Sequence, residues 1–208
     1  MLNNLKNFIR LLYSSYCKIM LIYFYKVELP IQDAFFPHDY ADLYNLWKLM
    51  MIRNPTITLE AGSGYSTLIF AQAHSRLNVK NNDAKKVHYC LEQNEKYLKM
   101  IKDYVGDKLS KNIIFIKTDL STIDIAGEKV SILDNFPNIA INLFYEDRTD
   151  HPKYPIAGDA FINELQMPDD FAICVDGMRS TVSFYKKNLK RRYKISGRFF
   201  HGINFIPL

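Results

Sequence analysis

The sequence predicts an α/β fold: a doubly wound, mostly parallel seven-stranded sheet with helices on both faces and an antiparallel last strand, preceded by N-terminal helices. Three observations predict it. β-rich runs alternate with helix-like stretches five times across residues 56–191, and such alternation builds a parallel sheet covered on both faces. Two further β-rich runs, residues 193–198 and 201–207, are split by a turn too short for a crossover and must pair antiparallel. Residues 56–73, TITLEAGSGYSTLIFAQA, compress a strand, a glycine turn and a helix start into one stretch.

The chain opens with residues 1–27, where Leu5, Phe8, Ile9, Leu12, Tyr16, Ile19, Met20, Tyr23 and Val27 fall at helical spacing. Residues 19–25 are apolar or aromatic throughout, but Lys18 and the serines before it interrupt the run of about 20 apolar residues that a membrane span needs. No small-residue cleavage site follows, so a signal peptide is not expected. Three readings stay open: a helix packed on the domain or forming a homodimer contact, a helix lying in a membrane interface with Lys6, Arg10, Lys18 and Lys26 at its edges, and a true span. Residues 30–37 form a breaker-rich connector. Residues 38–51 then read as a second amphipathic helix, with Tyr40, Leu43, Tyr44, Trp47 and Met51 at helical spacing and Asn54-Pro55 ending it. Residues 1–53 are thus expected as a helical appendage, and residues 54–208 as the main domain.

In that domain Thr56 to Leu59 make the first strand and Glu60 closes it; Gly62 and Gly64 lack a Cβ, so a ligand can lie against the backbone there. The helix starting near Tyr65 offers free amides and a positive dipole end to an anionic group. The second strand, residues 87–91, ends at Glu92, whose carboxylate has two oxygens to offer a pair of hydroxyls. A helix over 94–105 and a third strand over 113–117 follow, the latter ending in Thr118-Asp119. Residues 120–138 are irregular and predict a short helix or a small insertion. The fourth strand, 139–145, ends in Glu146-Asp147-Arg148; after a proline-bearing loop and a helix over 159–165, the fifth strand, 171–175, ends in Asp176-Gly177 before a helix over 179–191. Ligands of open α/β sheets bind outside the carboxyl ends of the strands, and here each of the first five strands ends in an acid: Glu60, Glu92, Asp119, Asp147 and Asp176.

Composition sets the outer bounds. Hydrophobic residues make up 48 %, enough for a real core and too many for a disordered chain. The net charge of +5 is too mild to demand a nucleic-acid partner. Much of the excess lies in Lys186, Lys187, Lys190, Arg191, Arg192, Lys194 and Arg198, either a solvated helix face or a patch for an anionic partner. The three scattered cysteines, Cys17, Cys90 and Cys174, read as buried thiols and favour a reducing, cytoplasmic setting.

A dinucleotide site would carry a third glycine where Thr67 stands. The run Leu59-Glu60-Ala61-Gly62-Ser63-Gly64 with Tyr65-Ser66-Thr67 instead resembles motif I of the class I S-adenosylmethionine-dependent methyltransferases, in the form seen in small-molecule and sugar enzymes. Cys90-Leu91-Glu92-Gln93-Asn94 is similar to motif II of that family, and Thr118-Asp119 to motif III. The resemblance covers residues 54–208, nearly three-quarters of the chain. It implies S-adenosyl-L-methionine as cofactor, held by Glu60, Ala61, Gly62, Ser63, Gly64, Ser66 and Thr67, with Glu92 on the ribose, Gln93 beside the adenine and Asp119 at the adenine amino group. It also implies that helices before the first strand cover the cofactor or shape the acceptor pocket, which brings in His38 and Tyr40.

The acids after the fourth and fifth strands are then the candidates for chemistry. Asp147 is the first choice as general base or acceptor-orienting group and His151 the second; Asp176 either shares that work or caps the next helix. Metal-assisted relatives place carboxylate ligands at these two strand ends, but the third oxygen ligand expected beside Asp176 is replaced by Gly177-Met178-Arg179, so no metal is expected. Arg148 and Arg179 could meet an acceptor's phosphate or pair with nearby acids. The expected activity is methyl transfer to a hydroxyl of a small molecule or glycan, with sugar and polysaccharide acceptors favoured by the resemblance. Methylation of RNA and a non-catalytic, nucleoside-binding role in a biosynthetic complex are the alternatives. No DNA partner is expected, since Glu146-Asp147-Arg148-Thr149 is unlike the Asp/Asn-Pro-Pro-aromatic tetrad of amino-methylating enzymes.

Overall fold

A computed structural model describes residues 2–29, 39–80, 86–148, 156–197 and 202–208. The helices are α1 (Leu2–Ile19, continued by a π-helical segment, Met20–Phe24), α2 (Tyr40–Arg53), α3 (Tyr65–Lys80), α4 (Glu95–Ser110), α5 (Asp159–Asn163) and α6 (Arg179–Asn188). The strands are β1 (Ile57–Ala61), β2 (Val87–Glu92), β3 (Ile113–Lys117), β4 (Leu120–Ile125), β5 (Glu128–Leu133), β6 (Leu143–Glu146), β7 (Ala172–Asp176), β8 (Tyr193–Ser196) and β9 (Gly202–Pro207).

Seven strands form one sheet in the order β3-β2-β1-β6-β7-β9-β8. The pairs among β1, β2, β3, β6 and β7 are parallel, while β9 slots antiparallel between β7 and β8. The chain runs outward from β1 to β3, then returns to lay β6 against the other side of β1. The sheet's switch point therefore lies between β1 and β6, where the carboxyl ends of two parallel strands diverge and leave a crevice.

Apolar residues on alternate faces of these strands feed two cores. On one face Leu143, Tyr145 and Ala172 of the sheet pack with Ile69 and Phe70 of α3, Trp47 and Met50 of α2, and Cys17 and Leu21 from the first helical segment. On the other, Leu59, Phe144, Ile173 and Val175 pack with Val182, Phe184 and Tyr185 of α6 and with Val130 and Leu133 of β5. The end of α1, its π-helical extension and α2 thus share a continuous core with the domain that follows. The α2 helix begins at Asp39, whose carboxylate accepts the Ala41 amide at 3.0 Å, and ends at Asn54 in the left-handed region.

Of the two expectations for the stretch from residue 120, a short helix and a small insertion, the structure shows the second: a β-hairpin outside the main sheet, β4 paired antiparallel with β5. Its two-residue turn puts both Ala126 (φ 53°) and Gly127 (φ 81°) in the left-handed region, as a hairpin turn of matching twist requires. Alanine is an unusual occupant there, which hid the turn. The fourth sheet strand is also shorter than the sequence predicts, starting at Leu143. Before it, the Asn142 side chain accepts the Ile57 amide (3.0 Å) and donates to Asp170 (3.0 Å), tying the strand entry to its neighbours.

Candidate active site

A cavity of about 410 Å3 opens at the switch point. One wall is the turn after β1, Gly62-Ser63-Gly64, continuing into Tyr65 and Ser66; a second is the end of β2 with Glu92, Gln93, Asn94 and Tyr97. Opposite stand Tyr145, Asp147 and Arg148 from β6 and its exit, Asp176 from β7, and Asp39, Asp42 and Leu43 from the start of α2.

The glycine turn is fixed by its own chain. Gly62 sits at φ +95°, and a Cβ there would lie 2.4 Å from the carbonyl oxygen of Asp147. Only glycine lets the turn after β1 close against the exit of β6. The Gly62 amide donates to Leu91 (2.8 Å), Ser63 to Glu92 Oε2 (2.8 Å) and Gly64 to Thr67 Oγ1 (3.2 Å). These three turn amides are committed within the chain, so an anionic group would meet the first turn of α3 and its dipole. A Cβ on Gly64 would meet nothing within 4 Å, so space for a ligand lies there.

Glu92 lies on the cavity wall and organises it. Its Oε2 accepts the Ser63 amide and hydroxyl (2.8 and 2.7 Å), and Oε1 accepts the Asn94 amide at 2.7 Å. A carboxylate has about four acceptor sites, so it retains capacity for a ligand hydroxyl while clamping two loops together. Gly62, Ser63, Gly64, Ser66 and Gln93 also reach the cavity as the motifs imply.

Four expected cofactor residues do not reach it. Glu60 is fully buried beneath the turn; Ser66 Oγ (2.7 Å) and Thr67 Oγ1 donate to its carboxylate, and His88 Nε2 lies 3.0 Å away. That carboxylate braces the start of α3 from behind, since its oxygens are committed before a ligand arrives. Thr58 Oγ1 extends the network to His88 Nδ1 (2.9 Å) and His74 Nε2 (2.8 Å). Burial, then the charges of His88 and Lys86, push the His74 pKa down to about 3, so it stays neutral. Thr67 and Ala61 are likewise buried behind the wall. Asp119 is turned to solvent, its side chain 83 % exposed and paired with Lys117 at 2.9 Å. The third strand carries it past the cavity edge.

The wall opposite the glycine turn is acidic. Burial first, then the charges of Asp176 and Asp39, push the Asp42 pKa from its ordinary 3.8 up to about 8. Burial also lifts Asp147 well above the carboxylate range, followed by the charges of Asp176, Glu60, Asp42 and Glu146. The Tyr145 hydroxyl donates to Asp176 Oδ2 at 3.0 Å, holding that carboxylate at the cavity edge. Asp42 and Asp147, both raised by burial and then by the charge of Asp176, share protons instead of ionising fully.

Arg148 offers no free fork to an acceptor phosphate. Its guanidinium binds Glu146 (2.6 and 3.2 Å) and Asp159 (2.7 Å) in the protein interior. His38 and His151 lie outside the described residues. Sequence reasoning passed over Asp39, Asp42 and Tyr145. The first was legible as a helix cap, but a polar residue in an amphipathic helix gives no sign that it faces a cavity.

No family model matches this chain, and no curated protein sequence does. Its fold is matched among solved structures. A Staphylococcus aureus protein assigned as a caffeoyl-CoA O-methyltransferase aligns over 100 % of both chains at 16 % identity and TM-score 0.55. A Bacillus cereus O-methyltransferase in complex with SAH covers 94 % of this chain and 90 % of its own, at 12 % identity and TM-score 0.55. TomG of Streptomyces achromogenes, an O-methyltransferase of tomaymycin synthesis in complex with SAM, covers 94 % and 89 % at 12 % identity and TM-score 0.52. The chain has the class I methyltransferase fold.

Proposed function

We propose that this protein is an S-adenosyl-L-methionine-dependent O-methyltransferase acting on a hydroxyl of a small molecule or glycan, with polyhydroxylated acceptors favoured. One observation carries the proposal: a single cavity at the switch point joins a glycine turn clamped by Glu92 to a wall of carboxylates, Asp42, Asp147 and Asp176. The residues fit the cofactor. The cavity is of ligand size, Gly64 leaves open space beside it, and Glu92 keeps acceptor capacity where ribose hydroxyls would lie.

When bound, the cofactor supplies an already activated methyl group for in-line displacement. The protein's share is to orient the acceptor, exclude water and take one proton. Asp147 accepts the proton of the acceptor hydroxyl as its oxygen becomes the nucleophile. Burial and the neighbouring acids raise its pKa, so in its ionised form it is a stronger base than an ordinary carboxylate. The Asp176 carboxylate accepts a hydrogen bond from one neighbouring hydroxyl and Asp42, which keeps its proton up to about pH 8, can donate one to another, the reason a sugar-like acceptor suits this wall better than an anion. The same negative charge repels a phosphate backbone, which disfavours the RNA alternative. Three free, buried cysteines suit a reducing compartment, and we place the protein in the cytoplasm.

Calorimetric titration with S-adenosylmethionine and S-adenosylhomocysteine tests the cofactor half. Binding of both is expected; binding of neither to the folded protein would overturn the reading. Turnover against a panel of sugars, glycosides and catechols tests the other half, and binding without any turnover would favour the non-catalytic alternative.

A further inference from the structure

The apolar stripe of the N-terminal helix faces away from the protein. Cys17 and Leu21 are buried against the domain, the Tyr13 hydroxyl donates to Asn45 at 3.3 Å, and Tyr16 meets Tyr44 edge-on at 6.0 Å. On the opposite side Leu11 is 67 % exposed, Leu12 56 % and Phe24 73 %, with Phe8, Ile9, Ile19 and Tyr23 around them. Of the stripe that the sequence singles out, Phe8, Ile9, Leu12, Tyr16, Ile19 and Tyr23 are all exposed, while Val27 is buried. The π-helical segment ends with the Tyr25 amide on Met20 (2.9 Å), and Lys26 at φ 51° turns the chain back to the domain. Large apolar side chains on one helix face, exposed and without a packing partner among the described residues, mark an interaction surface.

Charge selects the occupant. Residues 1–27 carry Lys6, Arg10, Lys18 and Lys26 and not one acid. Lys18 lies 5.1 Å over the Tyr40 ring, at the flank of the apolar face. A second copy docked through this face would bring like charges together. An anionic bilayer surface complements both features: apolar side chains enter the acyl boundary, tyrosines sit at headgroup level and lysines meet lipid phosphates. No helix among the described residues is long and apolar enough to cross a membrane, so the contact runs along the surface. We propose that α1 and its π-helical extension dock this protein on an anionic lipid surface.

The experiment uses the full chain and sedimentation with vesicles of phosphatidylcholine alone or with about one-third phosphatidylglycerol. Binding to the mixed vesicles is expected, weakened by salt and several-fold lower for Lys18→Gln/Lys26→Gln. Leu12→Asp/Ile19→Asp should lower partition by about tenfold or more with thermal unfolding unchanged, because both side chains are exposed. No partition of the unsubstituted chain to either vesicle overturns the proposal. So does equal binding to both compositions, or a dimer in light scattering that the Asp variant dissolves while vesicle binding is absent.

Discussion

Glu146 and Asp147 are neighbours at the exit of β6, yet the chain sends them to opposite fates. Successive strand residues point to opposite faces. Glu146 turns inward to Arg148, which also holds Asp159, and Asp159 Oδ1 accepts the Leu133 amide at 2.8 Å. Burial still lifts Glu146 to about 7, but the Arg148 charge opposes that rise. Asp147 turns to the cavity, where the charges acting on it most strongly are acidic. The difference teaches that an acid at a strand end is not by itself a catalytic signal. A counter-cation makes one a structural brace; beside the other no cation is paired among the described residues, which suits it to the base role proposed above.

The comparison breaks first at Asp147. Asp147→Asn should lower turnover by about 100-fold or more while leaving cofactor affinity intact, since the loss of a general base costs roughly 10²–10⁴ in rate. Unchanged turnover would remove Asp147 from the chemistry. On the other side of the strand, Arg148→Met should destabilise the fold by about 3–5 kcal/mol, because it strands two buried carboxylates. Denaturant titration reads it, and a loss under about 1 kcal/mol would show that Glu146 and Asp159 take up protons without strain.

Glu92→Ala sharpens the contrast between the cavity's two halves. It removes three hydrogen bonds that position the Gly62 and Asn94 loops. Calorimetry should show cofactor affinity down by about 100-fold, and full affinity would refute the assignment. The smallest effect is expected at Asp42. Its pKa rises from 3.8 to about 8 in the fold, so between those values the folded protein keeps a proton that the unfolded chain has released. This group's contribution is therefore best at low pH and is lost as pH climbs through that window. Asp42→Asn should flatten the decline of Tm across it. A curve parallel to that of the unsubstituted chain would mean that Asp42 ionises normally.

Much of this was legible in the sequence. The glycine turn, Glu92 and Gln93 at the end of β2, Asp147 just after β6 and Asp176 at the end of β7 all reach the cavity. Local patterns fix them, because a parallel sheet delivers every strand's carboxyl end to one edge. Glu60 and Asp119 match the same motifs but not the same place. One is sealed under the turn by Ser66, Thr67 and His88, and the other is carried past the edge by β3. The hairpin at 120–133 escaped because its turn carries an alanine at positive φ.

By itself, then, the sequence determined the α/β alternation, the antiparallel end and the strand ends that meet at the switch point, since these follow from period, glycine placement and connection length. Tertiary structure decided which carboxylates have a cation beside them, that α2 brings Asp39 and Asp42 to the cavity wall, and that the apolar stripe of α1 looks outward. Those outcomes depend on contacts between residues far apart in the chain, such as Tyr13 with Asn45 and Arg148 with Asp159, and no local pattern encodes such a pairing.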